Sequence, residues 1–217
     1  MKVELYLRHY PALRAPVGGF ASFSSSLGIA KSYFVSALAQ SSNLKKGNLG
    51  LFFIEKITIF AVSKVAAMNK ILFICHGNIC RSPMAEFVMK KLVKEAGREA
   101  EFEIASAATS TEEIGNPVYP PAKRKLAEHN IGCAGKTARQ ITRKDYEYYD
   151  YIIAMDQNNL RNLHRMLGDD TLHKISLLMD YTSRPGDVAD PWYTGNFEAT
   201  WQDVMEGCTA LLQTFDE

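Results

Sequence analysis

Asn69-Lys70-Ile71-Leu72-Phe73-Ile74 runs into Cys75-His76-Gly77-Asn78-Ile79-Cys80-Arg81-Ser82-Pro83, and this stretch decides the fold. A short, continuous apolar run reads as a buried strand. It empties into a loop that opens with Cys75 and closes with Arg81. Ser82 is a good helix N-cap, and Pro83 suits the first helical position because its missing N–H had no partner there anyway. A strand, an anion-sized loop and a helix N-terminus together hold phosphate with backbone amides and a helix dipole. Here a thiol sits at the base of that cradle and a guanidinium at its rim. A cationic, amide-rich surrounding favours thiolate over thiol, and the thiolate is the nucleophile. Arg81 can meet two phosphoryl oxygens through parallel N–H bonds. Gly77 and Asn78 are the residue types that tolerate a positive φ. The hydroxyl of Ser82 is placed to donate to the sulfur of Cys75. The pattern therefore predicts phosphoryl transfer through cysteine.

Beyond the loop the chain alternates strands and helices. Pro83 to Ala96 places Met84, Val88 and Leu92 four apart, with Gly97 as the stop. Glu101 to Ser106 alternates as a second strand, and Ala122 to His129 reads as a short helix. Thr142 with Asp145 marks another helix start. Tyr151 to Met155 is a third strand, and Asp156 caps a helix running to Leu167, ended by Gly168. Ile175 to Met179 is the fourth strand. Phe197, Trp201, Val204, Cys208, Leu211 and Phe215 then recur at three- and four-residue spacing, a long amphipathic helix. The fold class is α/β, a doubly wound, four-stranded parallel sheet with helices on both faces. Ligands bind such sheets beyond the carboxyl ends of the strands, where the first strand delivers Cys75.

Four segments carry a family resemblance: Cys75 to Glu86, Ser106-Ala107-Ala108-Thr109-Ser110, Ala138-Arg139-Gln140-Ile141-Thr142, and Asp190-Pro191-Trp192-Tyr193. Their order and spacing resemble the low-molecular-weight protein tyrosine phosphatases over residues 68–217. The resemblance implies hydrolysis of phosphotyrosine in proteins through a phosphocysteine on Cys75. His76, Gly77, Asn78, Ile79, Cys80, Arg81 and Ser82 would cradle the phosphoryl group. It makes Asp190 the general acid, although Asp-Pro by itself reads as a turn starter. It also implies cleft walls at Trp192 and Tyr193 and loop support from Ser106 to Asn78. No cofactor or metal is expected; the His76, Cys75 and Cys80 spacing matches no zinc pattern. Two departures stand out. Lys136 replaces a histidine of the loop-support network, and Glu112 replaces an aromatic cleft wall, which predicts an acidic entrance.

Rival readings differ at particular residues. An arsenate reductase would have extra resolving cysteines, and only Cys133 lies in the relevant region. Arginine phosphatases of this family tend to have Thr where Ile79 stands. A phosphocarrier or a non-catalytic phosphoprotein binder would have no use for Arg81 and Asp190.

Composition bounds the remainder. At 47% hydrophobic and 23% charged residues, the 217-residue chain is ordinary for a globular protein. Residues 1–67 carry eight Lys/Arg and two Glu, a net +6, which leaves 68–217 at −5. An acidic domain argues against nucleic-acid partners. Leu51 to Ala67 is apolar but broken by Glu55, Lys56 and Lys64, too short and charged to span a membrane. Residues 1–67 read as a disordered N-terminal extension, or as an over-extended start with Met68 the true beginning, with an organelle transit peptide as the alternative; in each case they are expected to be dispensable for the chemistry. The four cysteines form no C-x-x-C pair and no dense disulfide framework. The expectation is a cytoplasmic monomer.

Overall fold

The computed structural model describes residues 68–216; the expectations for residues 1–67 lie outside them. Strand β1 (Asn69–Cys75) pairs in parallel with β2 (Phe102–Ala108) on one side and β3 (Tyr151–Ala154) on the other, and β3 pairs with β4 (Ile175–Leu177). The sheet order is β2-β1-β3-β4, all parallel. Helices complete it: α1 (Arg81–Glu95), α2 (Pro120–Glu128), α3 (Arg143–Tyr148), α4 (Gln157–Leu167), α5 (Pro191–Thr194) and α6 (Phe197–Gln213).

The unbroken apolar run in β1 follows from burial on both faces. Ile71 and Phe73 face a core built with Met84 and Val88 of α1 and with Val204 and Leu211 of α6. Leu72 and Ile74 point the other way, into a second core with Leu163 and Leu167 of α4. The two-residue period of a strand thus divides one sequence between two layers.

Local signals set the helix ends. Gly97 takes φ +68°, and Arg98 N donates to Val93 O at 2.8 Å while Gly97 N donates to Lys94 O at 3.0 Å, a Schellman cap. Thr142 and Asp145 form a reciprocal capping box at α3. Asp156 accepts from Asn159 N at 2.6 Å and starts α4.

Other boundaries moved. Ser82 does not cap α1. Helical residues begin at Arg81 with Cys80 in the cap position, and the Ser82 hydroxyl is taken up by the site described below. Pro83 falls in the first turn, where backbone N–H groups have no helical acceptor. β2 starts one residue later than expected, after a 3₁₀ turn at Glu99–Glu101, and runs on to Ala108 because β1 offers partners up to Cys75. β4 stops at Leu177, where Leu178–Tyr181 tighten into 3₁₀.

One glycine fixes how closely α6 approaches this turn. A Cβ at Gly207 would lie 2.5 Å from Cγ of the fully buried Leu178. Gly207→Val is therefore expected to destabilise the protein by about 2 kcal/mol through overpacking. The check is a lower urea midpoint at unchanged m-value.

Candidate active site

β1 ends in the middle of the sheet and leaves Cys75 at the mouth of the phosphate loop. Its sulfur accepts the backbone N–H of Asn78 at 3.2 Å and lies 3.0 Å from Ser82 Oγ. Asn78 adopts φ +57°, the left-handed conformation that turns its amide inward. Gly77 does not share that conformation. A Cβ there would come within 3.1 Å of Cγ of Glu113, a tight approach to a side chain that can shift.

Glu86 Oε2 accepts the Ser106 hydroxyl proton at 2.6 Å. Ser106 Oγ then accepts one Asn78 amide hydrogen at 2.8 Å, and Ser82 Oγ accepts the other at 2.9 Å. Asn78 Oδ1 accepts Arg139 N at 3.2 Å. The Ser82 proton is left facing Cys75, its only other acceptor among the described residues being Ala107 O at 3.5 Å. A hydroxyl so oriented donates to the sulfur, as the backbone N–H of Asn78 does. Lys136 closes the array. It donates to Ser106 O at 3.0 Å and pairs with Glu86 at 3.3 Å, so the lysine supports the loop where a histidine was expected. Burial pulls its pKa below the ordinary lysine value against the opposing pull of Glu86.

Arg81 is 4% exposed, and two carboxylates hold it. Nη1 lies 2.5 Å from Asp156 Oδ2, and Nη2 lies 2.6 Å from Asp190 Oδ2. Burial disfavours its charge, but Cys75, Asp190 and Asp156 outweigh burial and raise its pKa. Asp190 plays two parts at once, since its Oδ1 also accepts Trp192 N at 3.0 Å and caps α5. The turn suggested by Asp-Pro is real, and it aims the other oxygen at Arg81. Sequence reasoning missed Asp156 as a site residue, because its capping motif explained it fully. Glu86 was likewise read only as part of a signature.

The cleft brings Cys75 and Arg81 together with Asp190, Trp192 and Tyr193, two groups more than a hundred residues apart in sequence. Trp192 and Tyr193 are 56% and 86% exposed, so they stand as open walls rather than core. Glu112 and Glu113 form an acidic lip of the same cleft, with Glu112 Oε2 3.1 Å from His76 Nε2. Cys80, in the same loop, is a protonated thiol. Burial, then the negative charge of Cys75 and Asp190, pushes its pKa up to about 12.

Residues 70–217 match the family described as low molecular weight phosphotyrosine protein phosphatase. The chain belongs to that family. Among these phosphatases, the low molecular weight protein-tyrosine-phosphatase YfkJ of Bacillus subtilis (strain 168) is 40% identical over 152 residues, covering 69% of this chain and 97% of YfkJ. The human low molecular weight phosphotyrosine protein phosphatase is 39% identical over 152 residues, covering 68% and 96%. The crystal structure of DARP, a Drosophila arginine phosphatase, aligns with a TM-score of 0.64 at 31% identity, covering 68% of this chain and 98% of DARP.

Proposed function

We propose that the chain hydrolyses phosphotyrosine in proteins through a phosphocysteine formed on Cys75. The observation that carries this reading is the convergence of a sulfur contacted by the Asn78 N–H and the Ser82 hydroxyl, a buried guanidinium and a cleft-lining carboxyl. In the first step Cys75 Sγ attacks phosphorus and the P–O bond to the ring breaks, while Asp190 gives its proton to the departing phenolate oxygen. Arg81 and the loop amides meet the charge on the equatorial oxygens. In the second step water attacks phosphorus, Asp190 takes a proton back, and the P–S bond breaks. Ser82 donates to the leaving thiolate.

Arg81 must turn its Nη2 from Asp190 to the phosphoryl group for this to work. Binding of a phosphoryl dianion drives that exchange. It offers the guanidinium a more highly charged partner than a single carboxylate. Asp156 keeps Nη1 in place meanwhile, so the guanidinium remains oriented.

Phosphoarginine is the second reading, because an arginine phosphatase is among the similar structures. Ile79 at the loop position favours tyrosine. Purified full-length protein assayed on phosphotyrosine and phosphoarginine peptides separates the two. Preferred turnover of phosphotyrosine supports the proposal, and preferred turnover of phosphoarginine overturns it.

The domain from 68 onward is proposed to act without residues 1–67. Deleting 1–67 is expected to leave kcat, KM and Tm nearly unchanged; a collapsed Tm would show that the segment belongs to the core. No helix among the described residues is long and apolar enough to cross a membrane. The four cysteines are free thiols, which fits a reducing compartment, and a cytoplasmic monomer is the proposed setting.

A further inference from the structure

Charge of opposite sign lines the cleft and a depression beside it. Trp192 is a wall of two depressions. One is the cleft itself; the other is a groove lined by Tyr119, Pro121, Arg124, Pro191 and Phe197. The Tyr119 ring lies 5.4 Å from that of Trp192 and 6.2 Å from that of Phe197, so the groove is floored by aromatic faces. It is fixed to the phosphate loop. Tyr119 N donates to Ile79 O at 2.9 Å, and Tyr119 and Phe197 pack on Ile79 and Cys80.

Arg124 is the groove's charge. It is exposed on α2 and, among the described residues, joins no ion pair or side-chain hydrogen bond. Its neighbour Lys125, by contrast, is held by Glu128 and Glu198. Glu112 and Glu113 border the cleft but not the groove, and Arg124 borders the groove but not the cleft. A peptide whose phosphotyrosine enters the cleft meets both Trp192, which the groove shares, and the two glutamates of the lip.

We propose that the Trp192–Arg124 groove is a substrate subsite. It takes an apolar or aromatic residue together with an acidic one from one flank of the phosphotyrosine. The Glu112–Glu113 lip repels acid on the other flank and accepts a basic residue. This rests on the phosphotyrosine reading above and adds a polarity to it: the enzyme selects peptides acidic on one side of the phosphotyrosine and basic on the other. Complementary charge at exposed positions gives modest energies per pair but consistent discrimination, since like charges are penalised where unlike ones gain.

The test is kcat/KM of the full-length protein on four phosphotyrosine peptides: acid before and base after, the reverse, both flanks acidic, and both neutral. One of the two polarised peptides is expected to exceed its reverse by about tenfold. Arg124→Glu should erase or invert that preference at the acidic flank while leaving p-nitrophenyl phosphate turnover unchanged. Arg124→Lys should restore most of it. Equal kcat/KM across the peptides, with normal turnover of p-nitrophenyl phosphate, overturns the subsite and leaves the phosphatase reading standing. Absence of turnover on every aryl phosphate overturns both.

Discussion

Cys75→Ser is expected to lower turnover of aryl phosphates by ~10⁴-fold or more while inorganic phosphate still binds. A serine hydroxyl is similar in size but is a far poorer nucleophile without a base to take its proton, and among the described residues no such base is bonded to this atom. The donors that hold the phosphoryl group do not depend on sulfur. Asn78 keeps its left-handed backbone, Ser82 its place in α1, and Arg81 its anchor on Asp156. The loss should therefore fall on kcat, with the inhibition constant of phosphate within a few-fold of the parent. Near-normal turnover in the variant would remove the covalent step.

The second large effect is expected at Asp190. Asp190→Asn preserves size and a carbonyl oxygen able to accept Trp192 N, so the α5 cap survives. What it loses is the carboxyl proton. General acid catalysis contributes ~10²–10⁴-fold, and the phosphorylation step on phosphotyrosine should slow by that amount. The loss should shrink for esters of strongly acidic phenols, which leave readily as anions. A plot of rate against leaving-group pKa is thus steeper in the variant. Single-turnover rates are needed, since breakdown of phosphocysteine would otherwise limit both proteins. The variant also removes the 2.6 Å pair with Arg81, so phosphate should bind no more weakly, and by the exchange argued above somewhat more tightly. Parallel slopes would reduce Asp190 to the residue that caps α5.

Much of this architecture is written locally. The apolar run before Cys75 had to be a strand buried on both faces, and Gly97, Thr142 and Asp156 announce their helix ends because capping depends on neighbours in sequence. Cys75 and Arg81 were legible for the same reason, lying on one loop. Ser82 was misread as a cap because the competing claims on its hydroxyl come from Asn78 and Cys75, folded back against it. The one-turn helix α5 is too short to show a period. The roles of Asp156, Glu86 and Lys136 depend on contacts with residues 20 to 75 positions away, which no spacing rule records. Asp190 is the intermediate case. Its dipeptide marks a turn, and only the fold brings that turn over Arg81.

The most direct measurement of the central claim is a rapid-quench experiment on Asp190→Asn with p-nitrophenyl phosphate. This leaving group departs with less help from an acid, whereas attack of water on phosphocysteine still needs the base that the variant lacks, so the intermediate accumulates. Peptide mass spectrometry should find one phosphoryl group on the peptide containing Cys75. It should form at the rate of the nitrophenolate burst and disappear at the steady-state rate. A burst-free time course, with phosphate released as fast as phenol and no phosphoryl group on Cys75 at any time, would contradict the mechanism.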